Sequence, residues 1–358
     1  MKTKLFLVFV IISSIVLAQS DIEQVTFRVD QYKGSIDNSP ITMLLTFYPD
    51  SSISGYYYYD KVGRLFTVQK LQESKSLKLQ AEQIESFTMN NESRETEIFE
   101  FPKSLYESIN EISGKWIYKG KEHTVNLTRE NLKFDWRLFR YKSIGYYDDS
   151  PFWEQTKDYS IIFPSISTSP KLNAHFLNEN NSLDKNTIDF INSSQSKYLL
   201  IEQNFGNNTT EDDDCCWSDD AGNQLVYISD SILTYSQVWF TYGYNGFYYC
   251  NYVSLNLSDG IVYTVKNIFK EEFIDSVLTR LRNKYKNILH QEGTSTEIND
   301  DAPFSSQYTK DSNIYISKGG VYFNERAYKL ADYYDLFLSF GEVKDYLNDS
   351  FKRTIGLR

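Results

Sequence analysis

Three cysteines and three histidines have the widest chemical reach in this chain, and their spacing limits what they can do. Cys215 and Cys216 are adjacent, Cys250 follows at a distance, and His123, His175 and His290 stand far apart. Zinc needs His and Cys in close sets, and a thiol nucleophile needs a positioned base. Neither spacing occurs. Adjacent cysteines bond each other only through a strained ring, so in an oxidising compartment the reading is a disulfide of Cys250 with Cys215 or Cys216. The leftover thiol is free or pairs between molecules. Asp212, Asp213 and Asp214 precede the cysteine pair, and Trp217, Asp219, Asp220 and Asn223 follow it. Asp212, Asp214, Asp219 and Asp220 offer oxygen ligands to calcium, but the spacing is not that of an EF-hand and lacks its closing glutamate. The plainer reading is a solvated acidic loop, so no cofactor is assigned. The chain has no His-X-X-X-His, no Gly-X-Ser-X-Gly and no phosphate-cradling glycine loop. Acid pairs abound in an acidic chain, so a glycosidase carboxylate pair cannot be singled out, and no catalytic residue is named.

The element that must position this region is a hairpin. Tyr235-Ser-Gln-Val-Trp-Phe-Thr-Tyr-Gly-Tyr runs into Asn245-Gly246, and Phe247-Tyr-Tyr-Cys-Asn-Tyr-Val-Ser-Leu runs out. Two aromatic and β-branched runs around a dipeptide suited to positive φ predict a two-residue turn. That register sets Tyr244 against Phe247, Phe240 against Asn251 and Val238 against Val253. Trp239, Tyr248 and Tyr252 then share the opposite face with Cys250, and with Trp217 they form the candidate binding face. After the hairpin, Asn267 can cap a helix whose apolar residues Phe273, Val277, Leu281, Tyr285 and Ile288 recur at helical spacing. This helix is expected to cover the hairpin's apolar face.

The chain opens with Met1-Lys-Thr-Lys, an apolar run from Leu5 to Leu17, and small residues up to Ala18. This pattern predicts a secretory signal peptide over residues 1–18, because the apolar run falls short of the roughly 20 residues a spanning helix needs. No transmembrane segment is expected in the mature chain, and the localisation expected is periplasmic or extracellular. Loss of Lys2 and Lys4 takes the formal charge from -11 to -13, with 35 basic side chains against 48 acidic ones. That balance disfavours nucleic acid and anionic membranes, which need concentrated positive charge.

Residues 21–129 read as a β-meander. Val25–Tyr32, Ile41–Tyr48, Tyr56–Tyr59, Leu65–Val68, Leu77–Gln80, Glu97–Phe101, Gly114–Tyr118 and His123–Leu127 are strand candidates with turn residues between them. Only Pro102–Ile112 looks helical. About eight such strands close into a barrel or fold into a sandwich, and a small up-and-down barrel is favoured. Its mouth could hold one small ligand, unless its own aromatics fill it. Residues 130–155 read as a linker and 156–355 as an α+β domain, so the fold class is α+β.

Two resemblances add to this reading. Tyr32-Lys-Gly-Ser-Ile, Ile41-Thr-Met-Leu-Leu and Ser54-Gly-Tyr-Tyr-Tyr-Tyr-Asp resemble an N-terminal module of uncharacterised exported bacterial proteins, which carries no known activity. Over about 158–351, the order Tyr159-Ser-Ile-Ile-Phe-Pro, the hairpin, Asn256-Leu-Ser-Asp-Gly, Asn267-Ile-Phe-Lys with its helix, Gly320-Val-Tyr-Phe-Asn and Leu338-Ser-Phe resembles the extracytoplasmic domain of the anti-sigma factor RsiV. A similar non-catalytic domain occurs in secreted peptidoglycan deacetylases. The resemblance implies helices packed on an antiparallel sheet and, by analogy, lysozyme as a partner; no contact residue transfers. The expectation is an exported, non-enzymatic binding protein recognising lysozyme or a cell-wall component. The alternatives are a glycan-active enzyme with unrecognised carboxylates, and a small-ligand carrier using the barrel.

Overall fold

The computed structural model describes residues 27–71, 76–83, 97–107, 110–146, 154–165, 170–179, 185–194, 196–205, 218–242, 247–291, 314–326 and 333–357. The signal-peptide reading and the positions Asp212, Asp214, Cys215, Cys216 and Trp217 lie outside them.

The meander closes. Strands β1 (Arg28–Ile36), β2 (Ser39–Phe47), β3 (Ile53–Tyr59), β4 (Leu65–Lys70), β5 (Leu77–Gln83), β6 (Glu97–Phe101), β7 (Glu111–Tyr118) and β8 (Lys121–Glu130) form a closed antiparallel barrel. Its seam is β1 on β8, with Gln31 opposite Glu130 and Ile36 opposite Val125. Alternation along each strand sends one row of side chains inward. Tyr32, Met43, Leu45, Phe47, Tyr57, Val68, Leu79, Phe99, Phe101, Val125 and Leu127 fill the interior. The outer rows of β2 and β3 are buried too, because the rest of the chain packs on them: Leu44 joins one further core and Tyr56 and Tyr58 another.

The stretch read as a linker contributes β9 (Trp136–Tyr146), a full strand. With β10 (Glu154–Pro164), β11 (Tyr198–Phe205), β12 (Ser218–Ile228), β13 (Ile232–Tyr242) and β14 (Phe247–Asn256) it builds a six-stranded sheet in the order β11-β9-β10-β12-β13-β14. The sheet is mixed where an antiparallel one was expected, since β9 with β11 and β10 with β12 run parallel. Helices α1 (Pro170–Glu179) and α2 (Lys185–Ser193) join the end of β10 to the start of β11 at one end of the sheet, and β11 carries the chain back so that β12 can run parallel to β10.

Leu172, Phe176 and Ile191 from these helices cover one face of the sheet, against Phe163, Leu225, Tyr235, Val253 and Leu255. The opposite face meets a three-stranded sheet of β15 (Tyr315–Ile316), β16 (Gly320–Arg326) and β17 (Tyr333–Ser339). The join is polar: Thr234 and Ser254, both fully buried, share a 2.7 Å hydrogen bond. Thr234 Oγ1 also donates to the Ile316 carbonyl at 2.7 Å, and the Ile316 N–H donates to Ser254 Oγ at 2.8 Å.

The hairpin register differs from the two-residue-turn expectation. Thr241 pairs with Phe247, Val238 with Cys250, Ser236 with Tyr252 and Tyr235 with Val253. Val238 and Val253 therefore belong to different faces and different cores. The far end of the hairpin decides this. Pairing Leu233 with Leu255 and Thr234 with Ser254 satisfies both cores at once, and that outweighs the turn preference of Asn245-Gly246.

Helix α3 (Val265–Ile268) is a single turn, and Asn267 lies within it, accepting the Thr264 N–H at 2.9 Å rather than capping the long helix. A 3-10 turn, Glu271–Phe273, leads into α4 (Ile274–Gln291). Val277 and Leu281 are buried as the spacing required, each contributing about 1.5–3 kcal/mol, whereas Phe273 stays in the 3-10 turn, partly buried, and Ile274 beside it is buried instead. Their partner is β17 and the small sheet; of the hairpin face this helix was expected to cover, Val238 packs against the same core, while Val253 lies in the core that α1 covers. The described chain closes with two short helices, α5 (Phe340–Val343) and α6 (Asp349–Thr354), capped by Ser339 and Asn348.

Candidate functional site

Among the described residues the barrel interior holds two carboxylates, at opposite ends and in opposite electrostatic situations. Asp30, 1% exposed, lies at the end closed by the 3-10 turn Lys103–Glu107. Arg28 Nε donates to Asp30 Oδ2 at 2.7 Å, and Arg129 Nη2 sits 2.7 Å from Oδ1. The Tyr32 hydroxyl adds a 3.3 Å bond. Arg28 also donates to the carbonyls of Tyr106 and Leu105, at 2.5 and 2.6 Å, with its guanidinium 3.7 Å from the centre of the Phe47 ring. One arginine thus neutralises a buried acid and ties down the plug. Burial, and then the Asp30 charge, push the Tyr32 hydroxyl well above its ordinary value.

Glu97 lies at the other end, at the start of β6 and opposite Ala81 of β5. The Tyr57 hydroxyl donates to its Oε2, and Trp116 Nε1 donates to the same oxygen at 3.1 Å. Both donors are neutral, and among the described residues no cationic side chain pairs with Glu97. Rings surround the group: Phe66 stacks on Tyr57 at 4.7 Å, Tyr59 meets Tyr57 edge-on at 5.7 Å, and Trp116 stacks on Tyr118 at 5.5 Å. Tyr59, Phe66, Glu97 and Tyr118 are only partly buried, so this end is reached from outside. His123 Nδ1, whose ring is 5.2 Å from Trp116, is held by Asp37 at 2.6 Å.

Burial raises the Glu97 carboxyl above the usual range, against the pull of the Tyr57 and Trp116 hydrogen bonds. Burial and the nearby Glu97 charge push Tyr59 up to about 12. The folded chain keeps the Glu97 proton to higher pH than the unfolded chain does. The stability tied to that proton is fully present below the unfolded pKa of about 4.3 and is lost as pH rises through the folded value. Glu97→Gln should remove this slope, so its thermal midpoint should gain on that of the unaltered protein between about pH 4 and pH 8. A difference that stays constant across the range would sink the assignment.

A third polar site is a cleft of roughly 330 Å³ where the barrel meets the six-stranded sheet. A register shift between Leu225 and Tyr227 in β12 lets successive residues Val226 and Tyr227 enter the same core, and this sets Tyr227 edge-on to Tyr58 at 5.9 Å. Around that ledge stand Lys33, paired with Glu130 at 2.7 Å, and Lys318, paired with Asp60 at 3.0 Å. Lys133 reaches the Asp230 carbonyl at 3.4 Å. The cleft offers donors and acceptors of both signs and no buried nucleophile, which suits recognition of a polar ligand.

The sequence-derived candidates fare unevenly. Tyr252 is 8% exposed and stacks on Tyr315 at 4.2 Å, so it belongs to the core and not to an open face. In the ladder Trp239 sits across from Tyr249 and Tyr248 across from Phe240, so the expected row of Trp239, Tyr248 and Tyr252 is not formed. Asp219 and Asp220 are in β12, a paired strand rather than a loop. The Cys250 side chain lies outside the described residues. Among those residues no group of three or more His, Cys, Asp or Glu side chains gathers to hold a metal. Asp30 and Glu97 went unnoticed, yet both carry a signal: each shares an inward row with aromatics, Asp30 with Tyr32 and Glu97 with Phe99 and Phe101.

No family model matches the chain, and no curated protein does. Among solved structures it is similar to a DUF3298 family protein from Pseudomonas aeruginosa PAO1, at 10% identity and a TM-score of 0.42, covering 61% of this chain and 96% of that one. It is also similar to a DUF3298 family member from Bacteroides fragilis NCTC 9343, at 12% identity and a TM-score of 0.44, covering 62% and 96%.

Proposed function

We propose that the protein is an exported, non-catalytic binding protein that recognises a cell-wall glycan in the cleft between its barrel and its RsiV-like second half. The junction cleft supports this reading. Lys33, Lys133 and Lys318 can donate to the carboxylate and amide oxygens of a wall glycan, and Glu130 and Asp230 can accept from its hydroxyls. Titration with soluble peptidoglycan fragments, followed by calorimetry, should give saturable binding without turnover. Lys318→Ala should weaken it at least about tenfold, the cost of one charged hydrogen bond. Absence of binding rejects the reading, and release of product replaces it with the enzyme.

The acidic balance favours a second reading, in which the partner is a basic secreted protein such as lysozyme. Co-elution with lysozyme at low ionic strength, lost on adding salt, is the expected result. Separate elution at low salt removes it.

A further inference from the structure

We propose that the Glu97 end of the barrel is a binding site for a small organic cation, a protonated amine or a quaternary ammonium compound. The site is independent of the junction cleft. Its basis is the contrast between two carboxylates in one barrel. Asp30 is matched by two guanidinium groups, whereas among the described residues Glu97 is met only by a phenol and an indole, both on Oε2. Withdrawing a carboxylate from water without a cation is costly, and the sealed end shows how this fold meets that cost with its own residues. At the Glu97 end no described residue does so.

The walls have the complementary property. Tyr57 and Trp116 are buried and stack on Phe66 and Tyr118, so the rings offered at the rim are the partly exposed Tyr59 and Phe66, and the negative quadrupole of a ring face attracts an ammonium group within about 6 Å but gives nothing comparable to a neutral or anionic ligand. The geometry is graded from inside to outside. Tyr57 and Phe99 are fully buried beneath, while Tyr59, Phe66 and Glu97 remain partly exposed above them. A cation entering there would meet rings first and the carboxylate last. At the opposite end the described residues close the approach, because the plug that Arg28 holds buries its own Leu105 in the barrel core.

The test uses the full chain with tetramethylammonium and n-butylammonium chloride as probes, and n-butanol as the neutral control. The Trp116 indole N–H, assigned by its loss in Trp116→Phe, is followed by NMR. The expected result is a saturable shift with both cations and none with butanol. Glu97→Gln should weaken cation binding at least about tenfold, and Phe66→Leu several-fold, while both variants keep the spectrum of the folded protein. Lys318→Ala, in the cleft, should leave cation binding unchanged, so this site and the glycan reading can fail separately. Equal response to butanol, no saturable response to either cation, or undiminished binding in a folded Glu97→Gln variant would overturn the proposal.

Discussion

Replacing Asp30 with asparagine is expected to destabilise the protein by about 3–5 kcal/mol, the cost of leaving buried positive charge without its partner. Asparagine keeps the shape and one acceptor, so packing changes little and the loss is electrostatic. The side chains of Arg28 and Arg129 are 15% and 32% exposed, which puts the expectation toward the lower end of that range. The order of the single variants is part of the prediction. Arg129→Met removes one side of the pair, whereas Arg28→Met also removes two carbonyl bonds to the plug and the contact over Phe47, so it should cost more. Urea unfolding curves for the three variants decide the matter. Asp30→Asn within 1 kcal/mol of the unaltered protein, or Arg129→Met worse than Arg28→Met, would show that the network does not hold the barrel's closed end as described.

Gly319→Val is expected to separate the barrel from the small sheet at a cost of about 3 kcal/mol. The turn after β3 and the turn before β16 touch backbone to backbone. A β-carbon on Gly319 would stand 2.2 Å from the Val62 carbonyl oxygen and 2.7 Å from Gly63 Cα, and neither can swing aside as a side chain would. Gly63, with φ +70°, already occupies a conformation that favours glycine. The contact is reinforced by the Leu65 N–H, which donates to the buried Tyr322 hydroxyl at 2.8 Å, and any wedge at Gly319 strains that bond as well. The readout is a lowered unfolding midpoint together with faster proteolysis near residues 60–64. Gly120→Ala is the control: its φ is also positive but nothing lies within 4 Å of its added carbon, so it should be much milder and leave cleavage near 60–64 unchanged. An unchanged proteolysis pattern in Gly319→Val would refute the wedge.

Local pattern carried the barrel. Eight short alternating runs with turn residues between them are a nearest-neighbour meander, and nearest-neighbour pairing is what strand periodicity reports. The second half was legible in its elements but not in their partners. The Val277 and Leu281 spacing located a buried helical stripe, yet nothing in a stripe says which apolar surface covers it, and the small sheet competed successfully with the hairpin. The register failed for the same reason. Asn245-Gly246 is a local preference, while the choice between Val253 and Cys250 opposite Val238 depends on Ile316, 62 positions beyond the Ser254 it bonds. Trp136–Tyr146 was hidden because Arg137, Arg140 and Lys142 make a strand look like a tether. Arg137 in fact donates to the Ile191 and Ser196 carbonyls, and Arg140 pairs with Asp158 on the next strand. The charged groups inside the barrel were legible in principle, as acids on inward rows, but composition arguments blur them in a chain with 48 acidic side chains.

The seam between β1 and β8 also governs the timing of folding. The Arg129–Asp30 bond that fastens it spans 99 positions, and the Leu65–Tyr322 contact that seats the barrel spans 257. A chain emerging from its N-terminus therefore makes β1 first and can close it last, so Arg28–Ile36 remains an unpaired edge on one side until residue 130 is available. Such long-range pairings slow folding and leave strand edges open to intermolecular pairing. Aggregation during production should thus respond more to conditions that protect nascent chains, such as slow synthesis or a holding chaperone, than to changes that stabilise the finished fold.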